Sequence, residues 1–237
     1  MKRLQAQRRV GPIRLSATLQ AGIFAIAAFT PSSGPARAAA TPIKPYLMAS
    51  QDREVALARS AAPPSIAGHA TVLVLERKGY VTAVKGANGF DCLVQRSWAH
   101  NFTAKRAKFW DPEFRAPFCL NAAAAASVLP PYLLRTRWAL AGASRKEIGG
   151  REQAAWAAGR LQAPAPGAIC YMMSRQGNLG HGPWRPHVMF YAAHGRASSW
   201  GANQQGVPIF AGPGDHTLVY FVLVPFWSDG TPAPAGQ

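Results

Sequence analysis

Cys92, Cys119 and Cys170 are the three thiols of this 237-residue chain, and His181, His187 and His194 lie close together further on. Paired thiols make a disulfide, a deprotonated thiol attacks a carbonyl, and clustered histidines hold a metal. Cys92 sits in Phe90–Arg96, a segment with strand character. Alternation puts Phe90, Cys92 and Val94 on one face and Asp91, Leu93 and Gln95 on the other. A Cys92–Cys119 bridge would tie down an intervening stretch that has no periodicity of its own. The competing reading makes Cys92 a nucleophile. A reactive thiolate is usually lowered in pKa by a helix N-terminus or a cation, which favours the bridge. Cys170, in Ala168-Ile169-Cys170-Tyr171-Met172, reads as a small buried hydrophobe.

In a strand over 187–193, His187 points with Met189 and Tyr191, and His194 falls in phase with Val188, Phe190 and Ala192 on the opposite side. No acid or cysteine stands near them at ligand spacing, so no metal and no cofactor is expected. His187, preceded by Arg185-Pro186, is the candidate functional histidine; a histidine bonded to backbone is the plain alternative. Glycine-rich phosphate loops, G-x-S-x-G elbows and H-E-x-x-H helices are absent from the sequence. Asp111 and Glu113 flank Pro112 and read as turn residues. Trp110, Trp184, Arg185 and His187 are the candidate ligand contacts, in a groove for sugar or peptide; the aromatics of 98–114 read equally as anchors for a long loop.

The first fourteen residues carry Lys2, Arg3, Arg8, Arg9 and Arg14 and no acid. A short apolar stretch follows at 15–29. Ala36-Arg37-Ala38 or Ala38-Ala39-Ala40 then fits the A-x-A cleavage pattern, so residues 1–40 are expected to be a cleavable secretory signal. The run is too short to span a bilayer, and no later segment is long enough. The localisation expected is periplasmic or secreted. Beyond residue 40 the chain holds 20 Lys+Arg against 10 Asp+Glu. These charges are scattered, which argues against nucleic acid and fits adsorption to an anionic cell-wall polymer or lipid surface.

The elements that must position these residues follow from pattern. Residues 41–62 are expected to be a flexible leader and a short helix at 50–61, ended by Pro63-Pro64. His69–Glu76, Tyr80–Val84 and Phe90–Arg96, separated by turns, predict an antiparallel meander over 69–96. Leu120–Leu129 predicts a helix stopped by Pro130-Pro131, and Tyr132–Ala141 another. Ser144 and Glu147 have capping-box spacing, with a last helix at 151–160. Strands are expected near 168–174, 187–193 and 217–225, and a disordered tail over 228–237. The fold class expected for 63–227 is one α+β domain, a mostly antiparallel sheet with a helical middle segment and helices on one face.

Over roughly residues 60–225 the chain resembles a group of short exported bacterial proteins of unassigned function. The residues that carry this are GYVTAVKGANGFDCLVQR, Cys119, PGAICYMMS and PHVMFYA. The resemblance implies that Cys92 and Cys119 pair, and it implies no activity. Acidic residues tend to follow the second cysteine in that group, where this chain has Leu120-Asn121-Ala122-Ala123. A second, weaker resemblance is to cell-wall cysteine peptidases of the papain-like NlpC kind. Asp91-Cys92-Leu93-Val94 is similar to their nucleophile motif, and His187-Val188-Met189-Phe190-Tyr191 to the strand that opens on their histidine. It implies a hydrolase with Cys92 as nucleophile and His187 as base. The Ser-Gly after the cysteine is missing, and the third polar residue would fall near Ser199.

Overall fold

The computed structural model describes residues 42–99, 108–180, 182–193, 198–211 and 216–234. The expected signal lies outside them. Among the described residues no helix is long and apolar enough to cross a membrane.

One eight-stranded sheet organises the chain, with β1 Thr71–Glu76, β2 Gly79–Val84, β3 Asp91–Gln95, β4 Ala116–Leu120, β5 Ile169–Met172, β6 His187–Ala193, β7 Ile209–Ala211 and β8 Thr217–Leu223. Its order is β2-β1-β3-β4-β5-β6-β8-β7. Every pairing is antiparallel except β1 with β3. The α+β class with a helical middle is therefore as expected, whereas the meander is not. β1 lies between β2 and β3, and β3 runs parallel to it through Thr71–Asp91 and Val72–Cys92. The connection at 85–90 crosses the start of β1. Ala87 N donates to His69 O, Gly86 N to Thr71 Oγ1, and Asn88 Nδ2 to Ile66 O. Gly86 permits this: a Cβ there would stand 2.2 Å from Ala70 C and Thr71 N. Alternation alone fixes which residues share a face and is silent about which neighbour a strand takes.

Helices cover both faces, not one. Helix α1, Gln51–Arg59, is capped by Ser50 Oγ, which accepts from Arg53 N. Its Leu57 and Ala58 pack with Val72, Val74, Cys92, Val94 and Cys119. On the opposite face Leu93, Phe118 and Leu120 pack with Ala124, Val128 and Leu129. These last residues come from α3, Ala122–Ser127, and the start of α4, Leu129–Leu140. A short α2 spans Pro64–Ala67.

Five further expectations are corrected. Strand β4 occupies the end of the stretch read as aperiodic, and helix starts only at Ala122. Asn121 makes the switch, its Oδ1 accepting from both Ala124 N and Ile169 N. Pro130-Pro131 does not stop a helix but sits in the first turn of α4, where a missing N–H costs nothing. Helix α5 runs unbroken over Arg145–Ala157 behind the Ser144–Glu147 capping box. The leader is ordered from residue 42, and Tyr46 is buried edge-on against Trp98 with ring centroids 4.4 Å apart. The tail is ordered through residue 234. Ser228 Oγ donates to Ser60 O at 2.6 Å, and Phe226 bridges Pro232.

Candidate functional site

Cys92 and Cys119 are register partners on β3 and β4 and form a disulfide across a sequence separation of 27. Both sulfurs lie beneath α1, fully buried. Cys170 is free and buried, and burial pushes its thiol pKa well up.

His187 opens β6 as the sequence suggests, yet it does not meet Cys92. The pairings place Leu120, Cys170, Met189 and Phe221 in one row. By alternation Leu93, Phe118, Met172 and His187 share their face, and Cys92, Cys119, Tyr171 and Val188 share the other. Strands β4 and β5 also intervene, three interstrand spacings or about 14 Å. The nucleophile–base pair implied by the cysteine-peptidase resemblance is thus absent. Its sulfur is in a disulfide, and its imidazole is on the far side of the sheet.

His187 is 2% exposed. Its Nδ1 lies 2.7 Å from Arg185 O, and because a carbonyl only accepts, Nδ1 carries the proton. Nε2 is then a lone pair, and it has no hydrogen-bond partner among the described residues. A cleft of about 10 Å³ lined by Pro117, Met172, Ser174, Leu179 and Trp184 adjoins it, room for about one water and for no substrate. Burial, opposed by the Arg185 hydrogen bond, pushes the imidazole pKa down to about 4 from 6.5.

A pH-dependent stability follows. Between about pH 6.5 and pH 4 the unfolded chain binds a proton at His187 that the folded one refuses. Stability is therefore expected to fall as pH is lowered through that window and to level off below it. The ceiling is about 3 kcal/mol. Urea midpoints at pH 7, 5.5 and 4 for the protein and for His187→Phe check this. The variant should lose the extra slope, and identical slopes would contradict a neutral buried imidazole.

The other sequence candidates divide. Trp184 stacks edge-on to His187 at 4.6 Å and contacts Phe221 at 5.2 Å, with Arg185 beside it, so these three stand together. Trp110 belongs to another cluster, against Phe109 at 4.7 Å and Trp98 at 6.0 Å. Trp98 itself is core, its Nε1 donating to Thr136 Oγ1. The loop aromatics are thus anchors on their described side. Asp111 and Glu113 form a turn, Glu113 N donating to Asp111 Oδ1. His181 and His194 lie outside the described residues, among which no three metal-ligating side chains cluster.

What sequence reasoning missed is a set of exposed aromatic side chains on β6, β7 and β8 among the described residues. The helix-packed core on the His187 face reaches as far as Met189 and Tyr191 of β6 and Val219 of β8. Register partners Phe190 and Tyr220 are 45% and 37% exposed on one face. On the His187 face, Trp184 and Phe210 are 39% and 41% exposed, and Phe210 meets Phe221 edge-on at 5.2 Å. An aromatic chain Trp184–Phe221–Phe210 therefore runs across β6, β8 and β7 with Arg185 at one end. Large exposed apolar patches on a folded domain mark places where something binds. Alternation announces such residues as strand-borne but not which of them the fold leaves exposed. No protein-family model, no curated protein and no solved structure matches the chain.

Proposed function

We propose that this protein is an exported, disulfide-stapled binding module that holds an anionic glycan of the cell envelope on the Trp184–Phe221–Phe210 face. The observation that carries the reading is that aromatic chain, exposed at Trp184 and Phe210, beside Arg185. Flat aromatic surfaces suit the apolar faces of sugar rings, and a guanidinium suits their carboxylate or phosphate groups. The excess of Lys+Arg, 20 against 10 Asp+Glu beyond residue 40, adds a long-range attraction to such a polymer. Export is supported by the basic, apolar and small-residue order of residues 1–40 and by a disulfide of the kind that persists in oxidising compartments.

Co-sedimentation of the oxidised protein, begun at residue 41, with purified cell-wall polymer tests the reading. Pelleting is expected at low salt and should weaken as ionic strength rises past a Debye length of about 10 Å. Trp184→Ala with Phe210→Ala should reduce it by about tenfold or more, the loss of two exposed aromatic contacts. Retention unchanged in that variant, or binding to anionic lipid vesicles in preference to the polymer, would overturn it.

A further inference from the structure

A second cleft, of about 270 Å³, lies where three distant segments converge and shares only Ser174 with the lining of the His187 cleft. The end of α1 and α2 supply Arg59, Ser60, Ala62, Pro64 and Ala67, the stretch after β5 supplies Ser174, Arg175 and Gln176, and the tail turn supplies Ser228 and Asp229. The segments are locked together. Met173 N donates to Ala61 O, Ser228 N to Met173 O, and Ser228 Oγ to Ser60 O. Ser60 Oγ donates to Leu57 O at 2.6 Å, so the 2.6 Å contact between Ser60 and Ser174 has Ser174 as donor. Ser174 Oγ in turn accepts from Gln176 N. The hydroxyl protons are therefore all engaged.

The guanidinium of Arg59 is not. Its Nε is buried and has no hydrogen-bond partner, and no acid pairs with it among the described residues. An unmatched donor on a charged group is costly, and Arg59, partly exposed, lines the cleft from which an anion reaches its guanidinium. Arg175 also lines the cleft but is already paired with Asp229 at 3.2 Å. One unmatched positive charge is thus left, which suits a monoanion. Its volume of about 270 Å³ lies near the low end of ligand clefts, roughly 300–1,000 Å³, and suits a short ligand. Ala62, Pro64 and Ala67 supply a short apolar part of its lining.

From the unpaired Arg59, the single net charge and the short apolar wall we infer that this cleft binds the C-terminal carboxylate of a short peptide ending in a small residue, with Arg59 as the carboxylate clamp. The inference does not rest on the aromatic face. N-acetyl-alanyl-alanine is the probe, titrated into the oxidised protein (from residue 41) and followed by amide NMR. Shifts are expected at 59–68, 174–176 and 228–230. Arg59→Gln should weaken binding by about tenfold or more, one charge-assisted hydrogen bond, and the C-terminally amidated peptide should fail to bind. Arg59→Lys keeps the charge without the fork and should fall between. The thermal midpoints of both variants should match the parent, separating lost binding from lost fold. Trp184→Ala should leave the titration unchanged. Equal binding of the amidated peptide, no loss in Arg59→Gln, tighter binding of inorganic phosphate, or no shifts at millimolar peptide would each overturn the assignment. The last would leave polymer co-sedimentation untouched.

Discussion

Arg96→Ala is expected to lower the free energy of unfolding by about 3–5 kcal/mol, the cost of breaking a buried ion pair from one side. Arg96 is fully buried at the end of β3. Its Nε donates to Tyr46 O at 2.8 Å, Nη1 to Val94 O at 2.5 Å and Nη2 to Glu54 Oε1 at 2.9 Å. Glu54 Oε1 also accepts from Leu75 N at 3.0 Å. One guanidinium therefore joins the ordered leader, β3, α1 and β1. Truncating it strands a buried carboxylate and the Tyr46 carbonyl, while Val94 O keeps the Tyr80 hydroxyl at 2.6 Å. Replacing both charges at once, Glu54→Met with Arg96→Met, should cost much less than the sum of the single changes, because no lone charge stays buried. Urea unfolding with an unchanged denaturant slope reads both. A loss under about 1 kcal/mol in Arg96→Ala would mean that water reaches the pair.

Replacing Cys92 and Cys119 together by alanine is expected to cost about 3.5 kcal/mol. That is the loop-closure entropy for a separation of 27 residues. The loop it closes holds 108–115, which has no regular structure, so little else restrains the unfolded chain there. The sulfurs are sealed between α1 and the sheet. Reductant should therefore act only as the protein opens, and the reduction rate should rise with urea. Reduction as fast as that of a small exposed disulfide would contradict this burial. Cys170 should resist alkylation in the native state and react on unfolding, since burial holds its thiol protonated.

Much of the fold is legible in the sequence where local chemistry decides. Ser144 with Glu147 announces a helix start, alternation announces β6 and β8, and Cys92 with Cys119 announces a staple. The failures share a cause, which is that non-local pairing leaves little local trace. β1 pairs with β3 in parallel because Gly86 lets the chain cross a backbone, and a lone glycine in a turn says nothing of what crosses it. Pro130-Pro131 reads alike as the end of one helix or the first turn of the next. The tail looks disordered by composition, yet Ser228 is held by Ser60 from far up the chain. The candidate site shows the same division. His187 and Trp184 stand out as residue types, and their contact is real. That His187 and Cys92 face opposite ways depends on the pairing of four strands, which the short motifs around them do not encode. Arg59 carries no motif at all; only the convergence of 59–68, 174–176 and 228–229 exposes it as unpaired.

We propose an exported, oxidised module in which Cys92, bonded to Cys119, serves as a staple and not as a nucleophile. Non-reducing peptide mass spectrometry of the protein recovered from the cell envelope tests it most directly. The expected result is a new N-terminus after Ala38 or Ala40, a peptide linked through Cys92 and Cys119, and Cys170 alkylated only after denaturation. A protein that retains residues 1–40 in the cytoplasm, with Cys92 alkylating readily as a free thiol, would contradict it.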